Sequence, residues 1–270
     1  MSRRLVAALA CRNQGSRLYG KPLQNLDVQN GVRIIDNIIG CLTSIPCIDE
    51  IVLGISAGVE NEVFQRIAEE KGLPFIVGDE VDVLSRLVQC GERSHATDVF
   101  RVTTESPFLY FEPVEDLWRR HQDERCDATF MWNIIDGTGF EIYSLETLRT
   151  SHARGTAKHR SELCSLYVRE HPEQFKVVKV DAPEELTRKD IRLTVDYPED
   201  LVVCRDVYTA LKAQAPRIRV RDIVRYLDRH PHLLGLLAPY TEAGYSTMDL
   251  WARPRRDDAG ESVVRLDDRD

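Results

Sequence analysis

Apolar runs of five to seven residues alternate with helical stretches through the first half of the chain. Leu5–Ala10 is a short continuous apolar run and predicts a first strand. In Val32–Leu42 the residues Ile34, Ile35, Ile38, Ile39 and Leu42 share one face at helical spacing. Glu50–Ile55 predicts a second strand. Glu60–Lys71 predicts a helix that stops at Gly72, a natural C-cap. Leu73–Val77, Asp98–Thr103 and Ala128–Trp132 predict further strands, with helices over Asp82–His95 and Pro113–Gln122 between them. Short connections in a βαβα order predict an α/β fold. It is Rossmann-like: a mostly parallel sheet sandwiched by helices, with ligands at the carboxyl ends of its strands.

The second half is less regular. Phe140–Tyr143, Lys176–Val180 and Ile191–Val195 read as strands. Leu145–Ser151, Ser161–His171, Pro198–Ala213 and Val220–His230 read as helices, with Pro198 in a first turn. The pattern predicts one domain over residues 1–251. A polar tail follows over 252–270, where Arg253-Pro254-Arg255-Arg256 and the acidic end suit a solvated, mobile segment.

The net charge of −8 over 270 residues argues against a general nucleic-acid or anionic-membrane binder. No apolar run is long enough to span a bilayer, and the run after Ser2-Arg3-Arg4 is too short for a signal core. The seven cysteines are scattered without a Cys-x-x-Cys pair. That predicts free thiols and a reducing cytoplasm rather than a disulfide framework or a zinc site.

Against that acidic background the turn after the first strand is basic. Ala10 leads into Arg12, Gly15, Ser16, Arg17, Gly20 and Lys21. Glycine lets backbone N–H groups approach phosphate oxygens, Ser16 adds a hydroxyl donor, and three cations sit within ten residues. The turn lacks both the Gly-Lys-Ser/Thr ending of a Walker loop and the Gly-x-Gly-x-x-Gly of dinucleotide folds. Two acidic positions belong at the same end of the sheet. Glu105 follows the fourth strand in Thr104-Glu105-Ser106-Pro107. Asp196 stands in Thr194-Val195-Asp196-Tyr197-Pro198, where an ordinary helix N-cap is the plainer reading.

These segments resemble the CTP-dependent cytidylyltransferases of the glycosyltransferase-A-like nucleotidyltransferase superfamily, the spore coat polysaccharide group and the synthetases of CMP-activated acidic sugars among them. The opening turn is similar to an Arg followed by Gly-Ser-x-Arg-Leu-x-Gly-Lys-x-Leu, one residue tighter between Ser16 and Arg17. Gly78 through Asp82-Val83-Leu84-Ser85-Arg86 resembles Gly-x-x-x-Asp-Val-Leu-x-Arg, and Thr194 to Leu201 matches Thr-Val-Asp-x-Pro-Glu-Asp-Leu.

The resemblance implies CMP transfer from CTP to an anionic sugar, sugar-phosphate, polyol-phosphate or phosphonate, with release of pyrophosphate. It implies Mg2+ on Glu105 and Asp196, with Arg12 and Lys21 completing the catalytic set. The nucleotide would meet Ala10, Arg12, Gly15, Ser16, Arg17, Lys21, Asp82 and Arg86. An acceptor and dimerisation segment would span about 134–190, with Glu141, His159 and Arg160 on the acceptor. A homodimer is expected, since relatives often pair through this half. One departure stands out: Thr104-Glu105 replaces the usual Gly-Asp. It leaves open two alternatives, another nucleotide such as UTP on the same scaffold, or a nucleotide-binding protein that has lost turnover.

Overall fold

The computed structural model describes residues 3–15, 17–252 and 263–265. The strands are β1 (Leu5–Cys11), β2 (Asn25–Asp27), β3 (Val32–Arg33), β4 (Glu50–Ser56), β5 (Phe75–Gly78), β6 (Asp98–Arg101), β7 (Ala128–Trp132), β8 (Glu141–Ser144), β9 (Val177–Asp181) and β10 (Val263–Arg265). The helices are α1 (Ile34–Thr43), α2 (Glu62–Lys71), α3 (Val83–Arg93), α4 (Val114–Asp123), α5 (Leu145–Arg154), α6 (Ala157–Arg160), α7 (Leu166–Glu170), α8 (Pro198–Leu211), α9 (Val220–Asp228) and α10 (Pro231–Ala252).

Eight strands form one sheet in the order β10-β9-β7-β8-β6-β1-β4-β5, and β2 pairs with β3 in a separate small hairpin. Only β8 runs against its neighbours, paired antiparallel with both β6 and β7. The central strand shows why its sequence is continuously apolar. Leu5, Ala7, Leu9 and Cys11 enter the core on one face, and Val6 and Ala8 enter the core on the other. The first core is closed by Ile35 and Ile38 of α1, Phe64 of α2, Leu117 of α4 and Val203 of α8. The second is closed by Leu84 and Leu87 of α3, Leu148 of α5 and Val168 of α7. A strand flanked by helices on both sides has no solvent face to alternate with.

The chain leaves β1 for β4 and β5 on one side and returns to β6 on the other. β1 is parallel to both β4 and β6, with Ala8 opposite Arg101. The order therefore reverses between β1 and β6. A crevice opens there at the carboxyl ends, the place where open α/β sheets bind ligands. α2 ends as its sequence predicts, with Gly72 in the left-handed region at φ 64°.

Two expectations need correction. Ile191–Val195 is not a strand. It is an irregular segment with a single bridge between Arg192 and Asp136. Ile191, Leu193 and Val195 are fully buried because the segment lies on the core, and that burial produces the strand-like alternation. The helix expected over Ser161–His171 is broken: α6 ends at Arg160, Ser161 turns extended, and α7 begins at Leu166. In the expected polar tail, Val263–Arg265 pairs in parallel with β9, and the rest lies outside the described residues.

Candidate active site

The opening turn is folded by its own backbone and by a segment that the motif does not contain. Gly20, left-handed at φ 61°, donates its N–H to the Asn13 carbonyl at 2.9 Å and closes the loop. The Asn13 N–H donates to Asn61 Oδ1 at 2.8 Å, and the Asn13 amide reaches the Glu60 carbonyl. At Gly15 a Cβ would stand 2.5 Å from the Leu18 carbonyl oxygen, so only glycine fits. Ser16 lies outside the described residues. A single turn over Lys21–Leu23, anchored by buried Pro22, then carries Lys21 back beneath the loop.

Lys21 and Arg17 converge on Asp196. Lys21 Nζ is 2.6 Å from Asp196 Oδ1, and Arg17 reaches the same oxygen at 3.2 Å. Arg17 also donates to the Tyr197 hydroxyl at 3.3 Å and lies 4.9 Å from the Tyr197 ring centre. The other oxygen, Oδ2, accepts from Arg192 at 2.8 Å. Burial alone raises the Asp196 carboxyl. The Lys21 hydrogen bond and the charges of Lys21, Arg17 and Arg192 outweigh it and hold the group below the usual carboxylate range. Helix capping falls to Asp200 instead, whose Oδ2 accepts the N–H groups of Asp196 and Tyr197 at 2.9 Å each. Asp196 is thereby free to spend both oxygens on cations.

Glu105 belongs to the same group of charges. Its carbonyl accepts the Val195 N–H at 3.0 Å, which ties the two acidic segments together. Among the described residues its carboxylate has no ion pair within 4 Å. Burial raises its pKa, Lys21 opposes that, and Asp196 adds to it. Thr104, which stands where the resembling motif has glycine, is only 2 % exposed and donates its hydroxyl to the Ala10 carbonyl at 3.1 Å. The departure is thus built into the fold as a pin between β1 and the Glu105 turn.

Asp136 is the acidic residue that sequence reasoning missed. Burial pushes its carboxyl up to about 6; Arg192 opposes this, while Asp196, Asp200 and Glu105 reinforce it. The signal was the Asp136-Gly137 turn. Gly137 has φ 88°, and a Cβ there would sit 2.4 Å from the Thr194 backbone nitrogen. A carboxyl raised in the fold favours the native state at low pH and loses that contribution as pH climbs through about 6. Asp136→Asn does not titrate. In EDTA, its melting temperature should exceed that of the wild type at about pH 7.5 and lose that advantage by about pH 4. Scanning calorimetry at both pH values checks this; an equal difference at the two would refute it.

The remaining expected residues are committed to contacts of their own. Arg12 reaches Glu162 at 3.1 Å on the rim, where both side chains are exposed. Asp82 caps α3 through the Ser85 N–H at 2.7 Å and meets His152 Nε2 at 2.8 Å. Arg86, expected at the nucleotide, is 1 % exposed. It donates to the carbonyls of Cys11 and Gly54 at 3.2 and 2.9 Å, beneath the crevice floor.

The expected acceptor residues are likewise engaged in holding the fold. Glu141 pairs with Arg101 at 2.7 Å and accepts from the Tyr143 hydroxyl at 2.7 Å. Burial raises its carboxyl, but Arg101 and Arg169 bring it below the usual value. His159, 7 % exposed, accepts the Thr156 N–H through Nδ1 at 2.9 Å and meets Glu170 at 2.8 Å. Arg160 donates twice to the His152 carbonyl, at 3.0 and 3.1 Å. Each of the three satisfies a buried or helix-end group.

Magnesium is a hard cation that takes oxygen ligands and keeps several waters. Among the described residues no three His, Cys, Asp or Glu side chains form a metal cage. Glu105 and Asp196 are the two carboxylates that the adjoining segments bring to this place, and their oxygens are of the chemical kind such an ion takes alongside phosphate and water. Glu105 has no competing cation within ion-pair distance, and Asp196 faces the lysine and arginine that suit the same phosphates.

The architecture is that of the nucleotide-diphospho-sugar transferase fold. A cytidylyltransferase from Leptospira borgpetersenii serovar Hardjo-bovis superposes with a TM-score of 0.75 at 18% identity, covering 86% of this chain and 97% of that one. CMP:2-keto-3-deoxy-manno-octonic acid synthetase, solved with CTP, gives 0.56 at 14% identity over 77% of this chain and 99% of the other. No protein-family model matches the chain. Within that fold the sequence is SpsF-like: it is 25% identical over 184 residues to spore coat polysaccharide biosynthesis protein SpsF of Bacillus subtilis. That match covers 68% of this chain and 76% of SpsF. An uncharacterized protein of Methanocaldococcus jannaschii is 24% identical over 249 residues, 91% of this chain and 99% of its own length.

Proposed function

We propose that the chain is a nucleotidyltransferase that moves CMP from CTP to an anionic acceptor and releases pyrophosphate. The observation that carries this reading is the meeting of Lys21, Arg17, Asp196 and Glu105 at the switch point of a cytidylyltransferase-like fold. An acceptor oxygen attacks the α-phosphorus. The bond from that phosphorus to the bridging oxygen breaks, and the electron pair leaves with pyrophosphate. Lys21 and Arg17 neutralise the β- and γ-phosphates, with Arg12 joining them from its exposed rim contact. Their present partner, Asp196, gives up part of its hold on them as the phosphates arrive.

Glu105 and Asp196 would hold a magnesium ion, which supplies charge neutralisation at the α-phosphate. The protein's own share is placement and electrostatics, and an acceptor that is already an anion needs no strong base. The seven cysteines are free thiols, in keeping with a cytoplasmic protein. A homodimer through the second half belongs to the same reading.

The deciding experiment offers CTP, UTP, ATP and GTP with Mg2+ and a panel of acidic and phosphorylated acceptors, and follows pyrophosphate. Release is expected with CTP and an anionic acceptor. Release with UTP alone would reassign the nucleotide. CTP binding without release on any acceptor would favour a scaffold over an enzyme.

A further inference from the structure

Asp196 stands on a segment with little regular support. Its backbone is tied by Leu193 N–H to the Asp136 carbonyl at 2.7 Å and by Val195 N–H to Glu105. Within it Arg192, 2 % exposed, reaches Asp196 Oδ2 at 2.8 Å, Asp200 Oδ1 at 3.2 Å and the Tyr240 carbonyl of α10 at 2.9 Å. The Tyr240 ring stacks on Tyr197 with centres 4.1 Å apart. Further along α10, the Tyr245 hydroxyl accepts the Asp136 N–H at 3.1 Å. Its own proton is within reach of the carbonyls of Arg188 at 2.8 Å and Ile191 at 2.9 Å. A C-terminal helix, remote from every sequence motif of the site, therefore grips the Asp196 segment at two points.

We propose that Tyr245 is a positioning residue: through Arg192 it sets the direction of the Asp196 carboxylate toward the metal and the triphosphate. This rests on the functional reading above. Tyr245 touches no reacting atom. It fixes the backbone on which Arg192 stands, and Arg192 turns Asp196 so that Oδ1 faces Lys21 and the crevice.

The test measures Mn2+ binding to the full chain with CTP by electron paramagnetic resonance, alongside the melting temperature. Tyr245→Phe is expected to raise the half-saturating Mn2+ concentration about fivefold. Arg192→Lys keeps the charge but loses the planar fork that spans the Asp196 carboxylate and the Tyr240 carbonyl, and should move the same readout the same way. Tyr226→Phe on α9 removes a hydroxyl that serves Asp206, and should leave Mn2+ binding unchanged. Unchanged Mn2+ affinity in Tyr245→Phe, with or without a lower melting temperature, overturns the proposal. So does an equal loss in Tyr226→Phe. Wild-type protein that binds no Mn2+ with CTP refutes the functional reading itself, and this proposal with it.

Discussion

Asp196→Asn is expected to lower kcat by at least about 10²–10³-fold while leaving the protein folded. Asparagine has nearly the same shape, so the change is one of charge. Lys21, Arg17 and Arg192 all lie within 3.2 Å of the carboxylate oxygens and would then face a neutral amide. Arg192 is the most affected, since it is buried and would keep only Asp200 as a charged partner. The stability loss should be about 1–3 kcal/mol at neutral pH. Its pH dependence follows from the lowered pKa of Asp196. The wild-type advantage is present above the unfolded carboxyl value and disappears as pH falls through the lower folded one. Wild type and variant should therefore converge in melting temperature in acid. Steady-state pyrophosphate release and thermal unfolding test the two halves. A kcat within tenfold of wild type would remove Asp196 from the catalytic set.

What the sequence displayed about this site was chemical identity and not direction. Lys21, Glu105 and Asp196 were legible because each stands in a short motif of the turns that follow β1, follow β6 and precede α8. The strands β1, β4 and β7 were legible because burial on both faces removes polar residues from them. Asn61, Asp136 and Tyr245 were not legible in the same way. They reach the site along the tertiary path, as a helix start, a glycine turn and one tyrosine in a helix, and none has a periodic signal. For His159 and Arg160 a motif shows that a cation is present. It does not show that a nearby carbonyl or N–H has already claimed it. Ile191–Val195 differs for a related reason: all five residues are buried, and a buried loop carries the same apolar residues as a buried strand.

Arg86 is where motif and structure diverge most, and it carries the largest expected effect on stability. A nucleotide ligand would leave the fold nearly intact when deleted. The observed Arg86 cannot be removed so cheaply. Its guanidinium joins the Cys11 carbonyl at the end of β1 to the Gly54 carbonyl within β4, and its stem fills space left by two glycines. A Cβ on Gly54 would lie 3.4 Å from Arg86 Cβ, and one on Gly78 would lie 2.8 Å from Arg86 Cγ. Arg86→Ala would remove both of these hydrogen bonds and leave a cavity behind β1 and β4. The expected cost is about 3–5 kcal/mol, a fall of roughly 6–15 °C in melting temperature. Well below that temperature, the KM for CTP should change by less than about threefold if the buried guanidinium stays on the Cys11 and Gly54 carbonyls when the nucleotide binds. Arg86→Met fills the volume without the hydrogen bonds and should recover part of the stability. An unchanged melting temperature with a KM raised about tenfold or more would return Arg86 to the nucleotide. The combination expected here makes it the tie that holds β1 and β4 level, so that the turn after Cys11 starts from a rigid floor.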